Sequence, residues 1–435
     1  MFVSGKFRKY LKRLFWAAIA AVFLYMMVNS SQKLLMNYLY HPFTFSIDTA
    51  YLHWNTTFPS VSLCQILNDE SMADMLENEI GEDRDYKLDN VISDIAFYSG
   101  TCYSCEDCTN GHLDCPRNFS TVVERYRSDC ATLISNCYWQ NEPFDCCRLF
   151  LPLETEFGLC YSINSQNSLQ KAAFRLINNR YTGPGELRFK VNEDIQIYLH
   201  DSYAVPYAYV DRALKETVLW GMNKEIIIKV IEMENTGNVQ DIPINRRYCR
   251  FPWENPDEFF HLYSSYSFSS CAVECFMKTQ LKYCNCTHHL MPRPKNGFKP
   301  VKICSFKGLT CLTENSAVIA KQRKQCNCLS SCVEPEFFVI YSSESEVDNE
   351  ENQVTIRMLS LPDSRFVRNT ARTELDLFIS LGGIVGLFSG ASVITLFYIA
   401  SVAIRYVASA RKQRAMEGNS ENSENVSGLT TPTAQ

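Results

Sequence analysis

Between Glu374 and Tyr398, small and oxygen-bearing residues recur in a pattern that could coordinate an ion. Gly382, Gly386 and Gly390 stand four apart, so one face of a helix there would be bare backbone. Gly390, Ala391 and Ser392 then offer small side chains, backbone carbonyls and one hydroxyl. Such groups replace part of an ion's hydration shell when several copies meet on an axis. Glu374 and Asp376 precede them, where a ring of carboxylates would concentrate cations. One such segment cannot enclose a pore, so ion coordination here implies an oligomer. The same glycines would also suit close helix packing with no ion at all.

Other candidate chemistry lies in the cysteines. Cys102-x-x-Cys105-x-x-Cys108, and Cys284 and Cys286 with His288 and His289, have spacings that iron–sulfur or zinc sites use. Yet the chain holds 20 cysteines in 435 residues, all between Cys64 and Cys332. That density and confinement point to disulfides in an oxidising compartment. Spacing leaves the pairing open, and neither a metal nor a cofactor is expected. No Gly-x-Ser-x-Gly, P-loop or His-Glu-x-x-His motif occurs, so no enzymatic activity is expected.

Two apolar stretches bracket the cysteine-rich part and must position the candidate site. Leu14 to Gln32 carries no charge and is long enough to cross a bilayer as a helix. Lys6, Arg8, Lys9, Lys12 and Arg13 precede it, which places that end in the cytoplasm. A cleaved signal peptide would share this flank, but no small-x-small site follows Val28. The second stretch, Leu377 to Ile404, is uncharged throughout. As one straight helix it would reach about 42 Å, beyond a ~30 Å hydrocarbon core, so it must tilt or break. Arg405, Arg411, Lys412 and Arg414 follow, again a cytoplasmic signature.

The organisation expected is therefore a cytoplasmic amino terminus (1–13), a first span (14–33), an exterior (34–374), a second, pore-lining span (375–404) and a partly disordered cytoplasmic tail (405–435). The net charge of -6 is unevenly spread: both cytoplasmic ends are basic or balanced, and the exterior is acidic. That argues against nucleic-acid binding and for a surface that attracts cations, although solubility alone would also explain it. Sequons at Asn55, Asn118 and Asn285 lie in the expected exterior and could be glycosylated.

Periodicity predicts an α+β exterior, with helical, disulfide-stapled appendages on a central β-sheet. Helices are predicted over 86–98, 121–137, 270–284 and 313–326. Strands are predicted at 43–47, 61–63, 187–191, 195–199, 226–231, 337–341 and 354–359. The last two flank an acidic turn with Glu344, Glu346, Asp348, Glu350 and Glu351, read as a solvated hairpin tip that could also sense protons or calcium.

Motifs spread over nearly the whole chain then converge. They include Phe58-Pro-Ser-Val-Ser-Leu-Cys64, Gly158-Leu-Cys-Tyr-Ser-Ile-Asn164 and Arg247-Tyr-Cys-Arg-Phe-Pro252. Tyr266-x4-Cys271-x3-Cys275-x8-Cys284-x-Cys286 follows, then Met291-Pro292, Cys326-x-Cys328-x3-Cys332-x-Glu334 and Gly382-Gly383-x-x-Gly386-Leu-Phe-x-Gly390-x-Ser392. In these the chain resembles the degenerin/epithelial sodium channel family, nearest its arthropod pickpocket branch.

The resemblance implies a homo- or heterotrimer in the plasma membrane whose second spans line a sodium-permeable, commonly amiloride-blockable, pore. It places Gly390, Ala391 and Ser392 on the family's filter and Gly383 and Gly386 in its pore helix. Ile379 falls on a position usually held by a small residue, where bulk favours the open state. Ser380 falls where many members carry an outer-pore Asp, and Tyr398 replaces a Glu below the filter. The family's amino-terminal His-Gly has Ser4-Gly5 as its nearest counterpart. Sodium selectivity weaker than the family's best is expected. Three other readings stay open: a non-conducting or modulatory subunit of a heteromer, a two-span scavenger-type receptor without a pore, and an ATP-gated trimer, which the missing lysine motif disfavours.

Overall fold

The computed structural model describes residues 3–81, 85–109, 113–256, 260–294, 300–346, 352–390 and 392–426. For 3–6, 80, 393, 396 and 412–426 it describes the backbone alone. The chain divides into two units, one of residues 44–369 and one formed by the two ends, up to Phe43 and from Thr370.

The larger unit is built on two sheets. In the eight-stranded one, the order is Phe43–Asp48, Arg365–Thr370, Met222–Asn235, Gln353–Met358, Glu186–Val191, Ile134–Trp139 and Glu142–Phe144, with Glu336–Glu346 also pairing Met222–Asn235. Met222–Asn235 is the hub. It runs antiparallel to Glu336–Glu346 and parallel to both Gln353–Met358 and Arg365–Thr370. Its apolar residues explain that placement: the alternate residues Ile226, Ile228 and Val230 are buried on one face, while Lys229 on the other is exposed. The five-stranded sheet follows the order Lys215–Val218, Ile195–His200, Ser60–Gln65, Gly158–Ile163 and Leu151–Thr155. Residues of the two sheets share one core, in which Phe58, Val61, Phe150, Phe189, Ile197 and Ile356 are buried.

A second core is mainly helical. Val91, Ile92 and Ile95 of Tyr86–Ala96 meet Met72, Leu76, Val122 and Leu309 there. Helix Phe268–Cys284 begins at a capping box between Ser267 and Ser270 and ends at Asn285 in the left-handed conformation.

All twenty cysteines are paired. Cys64–Cys160 ties two strands of the smaller sheet. Cys271–Cys328 and Cys275–Cys326 staple one face of helix Phe268–Cys284, and Cys249–Cys332 lies beside them in chain order. Cys284–Cys311 and Cys286–Cys304 hold helix Phe306–Glu314. Cys130–Cys147 and Cys137–Cys146 clasp one hairpin. Cys102–Cys105 and Cys108–Cys115 close two short loops. The cysteines whose spacing suggested a metal are thus joined to each other or to other cysteines.

Two predicted helices are corrected. The 121–137 segment is helical only over Phe119–Tyr126, turns again at Cys130–Leu133 and becomes a strand at Ile134–Trp139. Arg127 is drawn away, donating to Ala96 O (2.7 Å) and Phe157 O (2.8 Å), and Asp129 caps a new turn by accepting from Thr132 N at 2.8 Å. The 313–326 helix is replaced by Phe306–Glu314 and Ser316–Arg323. Between them Asn315 turns its amide onto Cys311 O at 2.8 Å, the local competition with backbone that makes Asn a helix breaker. In the acidic turn, Glu344 and Glu346 belong to strand Glu336–Glu346. Glu344 pairs with Lys224 at 2.6 Å, and Asp348, Glu350 and Glu351 lie outside the described residues.

Three histidines are built into this unit in the neutral form. His200 bonds Ser62 Oγ and Asp201 O, each at 2.7 Å, and burial pushes its pKa down to about 4. His288 lies between Tyr98 and Phe276, and burial, aided by His289 and Arg323, lowers it to about 3. His289 donates to Ile95 O at 2.7 Å and is lowered to about 4, chiefly by burial. Each depressed histidine stabilises the fold fully above pH 6.5 and loses that contribution as pH falls toward its folded value. At pH 5 the cost is about 2 kcal/mol for each. The full-length protein in detergent is therefore expected to melt several degrees lower at pH 5 than at pH 7.4. A His288→Gln variant should show a smaller drop, and equal drops would remove His288 from the account.

Candidate ion-conducting segment

The smaller unit contains the two apolar stretches. The first lies in a continuous helix, Val3–Tyr40. Over Phe7–Tyr40 it is, among the described residues, the one helix long and apolar enough to cross a membrane. The second stretch is broken. One half-helix runs Glu374–Ser389 and another starts at Val393.

The residues at the break explain it. Gly390 closes the first half in the left-handed conformation (φ +67°), its N–H bonding Gly386 O at 2.9 Å. Glycine reaches that region without the steric cost a side chain would bring. Ser392 opens the second half. Its Oγ accepts from Thr395 N at 3.2 Å, while Thr395 Oγ1 accepts from Ser392 N at 3.3 Å. Two orphan donors are satisfied reciprocally, as in a capping box. Ala391 lies outside the described residues.

The start of the first half is equally specified. Thr373 Oγ1 accepts from Asp376 N at 3.1 Å, and Asp376 Oδ2 accepts from Thr373 N at 3.0 Å and from Thr373 Oγ1 at 2.9 Å. Thr373-x-x-Asp376 before an apolar run is a legible helix-start signal, missed when Asp376 was read only as a charge. Glu374 stays exposed beside it. Arg372 Nη1 donates to Ser380 Oγ at 3.3 Å. Eight residues separate these two, and no motif advertises that bond.

Ile379, Leu387 and Tyr398 are 60%, 77% and 69% exposed within the single chain. The two helices do touch within this unit, where Phe23 meets Phe388 edge to face at 6.1 Å. The glycine face is not used there: a methyl group added at Gly382 or Gly383 would meet nothing within 4 Å. Whatever approaches that bare backbone comes from outside the described residues of this chain. Gly386 lies one turn further along the same half-helix.

The family described as amiloride-sensitive sodium channel matches residues 3–401. The chain belongs to this family. Among relatives, the sodium channel protein Nach of Drosophila virilis is 27% identical over 68% of this chain and 83% of its own length. Pickpocket protein 19 of Drosophila melanogaster is 23% identical over 64% of this chain and 60% of its own. The bile acid-sensitive ion channel of Homo sapiens is 22% identical over 90% and 81%. These relatives place the chain with the arthropod pickpocket branch of the degenerin family, whose members are membrane ion channel proteins and not enzymes.

The sequon asparagines are all exposed. Asn55 accepts from Asn179 at 3.1 Å, and Asn118 caps helix Phe119–Tyr126. Asn285 sits at a helix end with φ +55°, followed by disulfide-bonded Cys286 and buried Thr287.

The cap at Gly390 gives a direct test. Gly390→Ala places a side chain in the left-handed region, costing about 1 kcal/mol or more. It should lower the melting temperature of the full-length protein in detergent more than Gly390→Asn, because asparagine visits the left-handed region more readily. Equal effects would mean that the chain does not break at Gly390.

Proposed function

We propose that the chain is a pore-forming subunit of a sodium-permeable, amiloride-sensitive, non-voltage-gated cation channel, gated through its disulfide-rich unit. In this reading both apolar stretches span the plasma membrane, both termini are cytoplasmic, and 34–374 is extracellular. Three second spans, from identical or related subunits, surround the axis.

The break at Gly390–Ser392 is the observation that carries this reading. Gly386 O is met by Gly390 N, the helix Glu374–Ser389 stops there, and its terminal carbonyls form the negative end of its dipole. The positive end of the next half-helix also points at the break, but the Ser392–Thr395 pair satisfies two donors there. The balance of exposed groups therefore favours a cation. Non-helical backbone at membrane depth is tolerated where it is buried in protein or lines a water-filled cavity, and the open glycine face supplies the surface on which neighbouring copies can close around it.

A second reading, a modulatory subunit that conducts only beside relatives, is favoured by Ser380 and Tyr398 standing where charges are expected. The scavenger-type receptor reading finds no support in the family match. Expression alone in oocytes under voltage clamp, then with related subunits, separates the first two readings.

Within the pore reading, Ile379 raises the resting open probability. Ile379→Gly is expected to reduce the amiloride-blocked resting current, and an equal or larger leak would sink that role. Ser392 contributes to the constriction, so Ser392→Ala and bulkier replacements are expected to change the sodium/potassium permeability ratio. Unchanged reversal potentials across the whole series would move the filter elsewhere.

A further inference from the structure

We propose that Arg372 is a specificity-determining residue: a fixed positive charge, held at Ser380, that opposes cation entry and opposes divalent cations more than monovalent ones. The inference rests on reading Glu374–Ser389 as pore-lining and adds to it a group that the sequence pattern does not reveal.

The bond from Arg372 Nη1 to Ser380 Oγ lays the side chain along the first two turns of the half-helix. Ser380 is seven residues beyond the cap Thr373, about 10 Å along the axis. The guanidinium therefore lies inside the start of the segment instead of reaching away from it. Asp376, the acidic residue nearest in sequence to Ser380, already accepts both Thr373 bonds, and the Arg372 charge acts on it as well. Of the two carboxylates at this end, Asp376 is thus engaged and partly offset, and Glu374 remains exposed. Per chain the end carries one net negative charge where the acidic residues alone would give two.

The offset is that of a guanidinium charge. Its effect on ions follows from valence. A local potential that lowers the concentration of a monovalent cation by some factor lowers that of a divalent cation by the square of that factor. Solvent-exposed charges are also screened by salt, with a Debye length of about 10 Å at 0.1 M.

The test uses the full-length chain, with whichever related subunit is needed for current. Arg372→Gln and Arg372→Lys are compared with wild type for sodium conductance and for block by external calcium, at low and high ionic strength. Arg372→Gln is expected to raise sodium conductance about twofold at low ionic strength and to strengthen calcium binding about fourfold. Both changes should shrink at high salt, and Arg372→Lys should stay near wild type. Equal shifts in the Gln and Lys variants, or a Gln effect that ignores ionic strength, would make Arg372 a packing residue and overturn the inference. A conducting wild type with an unaltered Gln variant overturns it too, and leaves the channel reading intact. A wild type that reaches the surface and passes no current with any related subunit defeats the channel reading, and this inference with it.

Discussion

Covalent cross-linking is the constraint on which the larger unit depends. Many of its helices are short, such as Cys130–Leu133, Cys146–Leu149 and Ser316–Arg323, well below the length at which a helix is stable in water. The first two are fixed instead by Cys130–Cys147 and Cys137–Cys146. The longer helix Phe268–Cys284 is held at Cys271, Cys275 and Cys284, which fixes which face meets the core. Buried charge adds a second tie: Arg323 lies on Glu156 at 2.6 Å with Phe276 beneath it at 4.1 Å.

In the smaller unit the organising demand is the satisfaction of backbone groups. A long uncharged run could have formed one helix. Gly390 and Ser392 instead supply a stop and a start, each with its own hydrogen bonds. Small residues at these places therefore have a local reason to be there that is independent of any ion. The two roles are compatible, because a cap that satisfies donors with side chains leaves the negative end of the preceding helix dipole facing the break.

How much of this could be read beforehand depends on the range of the interaction. The strands at Leu187–Val191 and Ile226–Ile231 and the helix around Val91 were legible because alternation and helical period are local. Confinement of cysteines to one stretch showed which part is cross-linked, yet the partners required folded proximity: Cys64 finds Cys160 across a sheet. The overextended helices at 121–137 and 313–326 had correct apolar periods. They failed where one polar side chain, Asp129 or Asn315, offered the backbone another bond. The broken second stretch was legible as a length problem, and its caps were legible as motifs only once a break was placed. Arg372 was not legible, since its partner lies two helical turns away.

The strand order has a consequence for biosynthesis. Phe43–Asp48 pairs with Arg365–Thr370, and the latter with the hub Met222–Asn235. The earliest strand to emerge from the ribosome thus waits for the last before it gains a neighbour. Until then the end of the hub, Glu232–Asn235, lacks its partner strand, the kind of exposed edge that recruits foreign strands. A nascent chain cut short before Arg365 would retain every cysteine pair and still present that edge. Cellular quality control would then be judging the completeness of a sheet whose final piece is made just before the second apolar stretch.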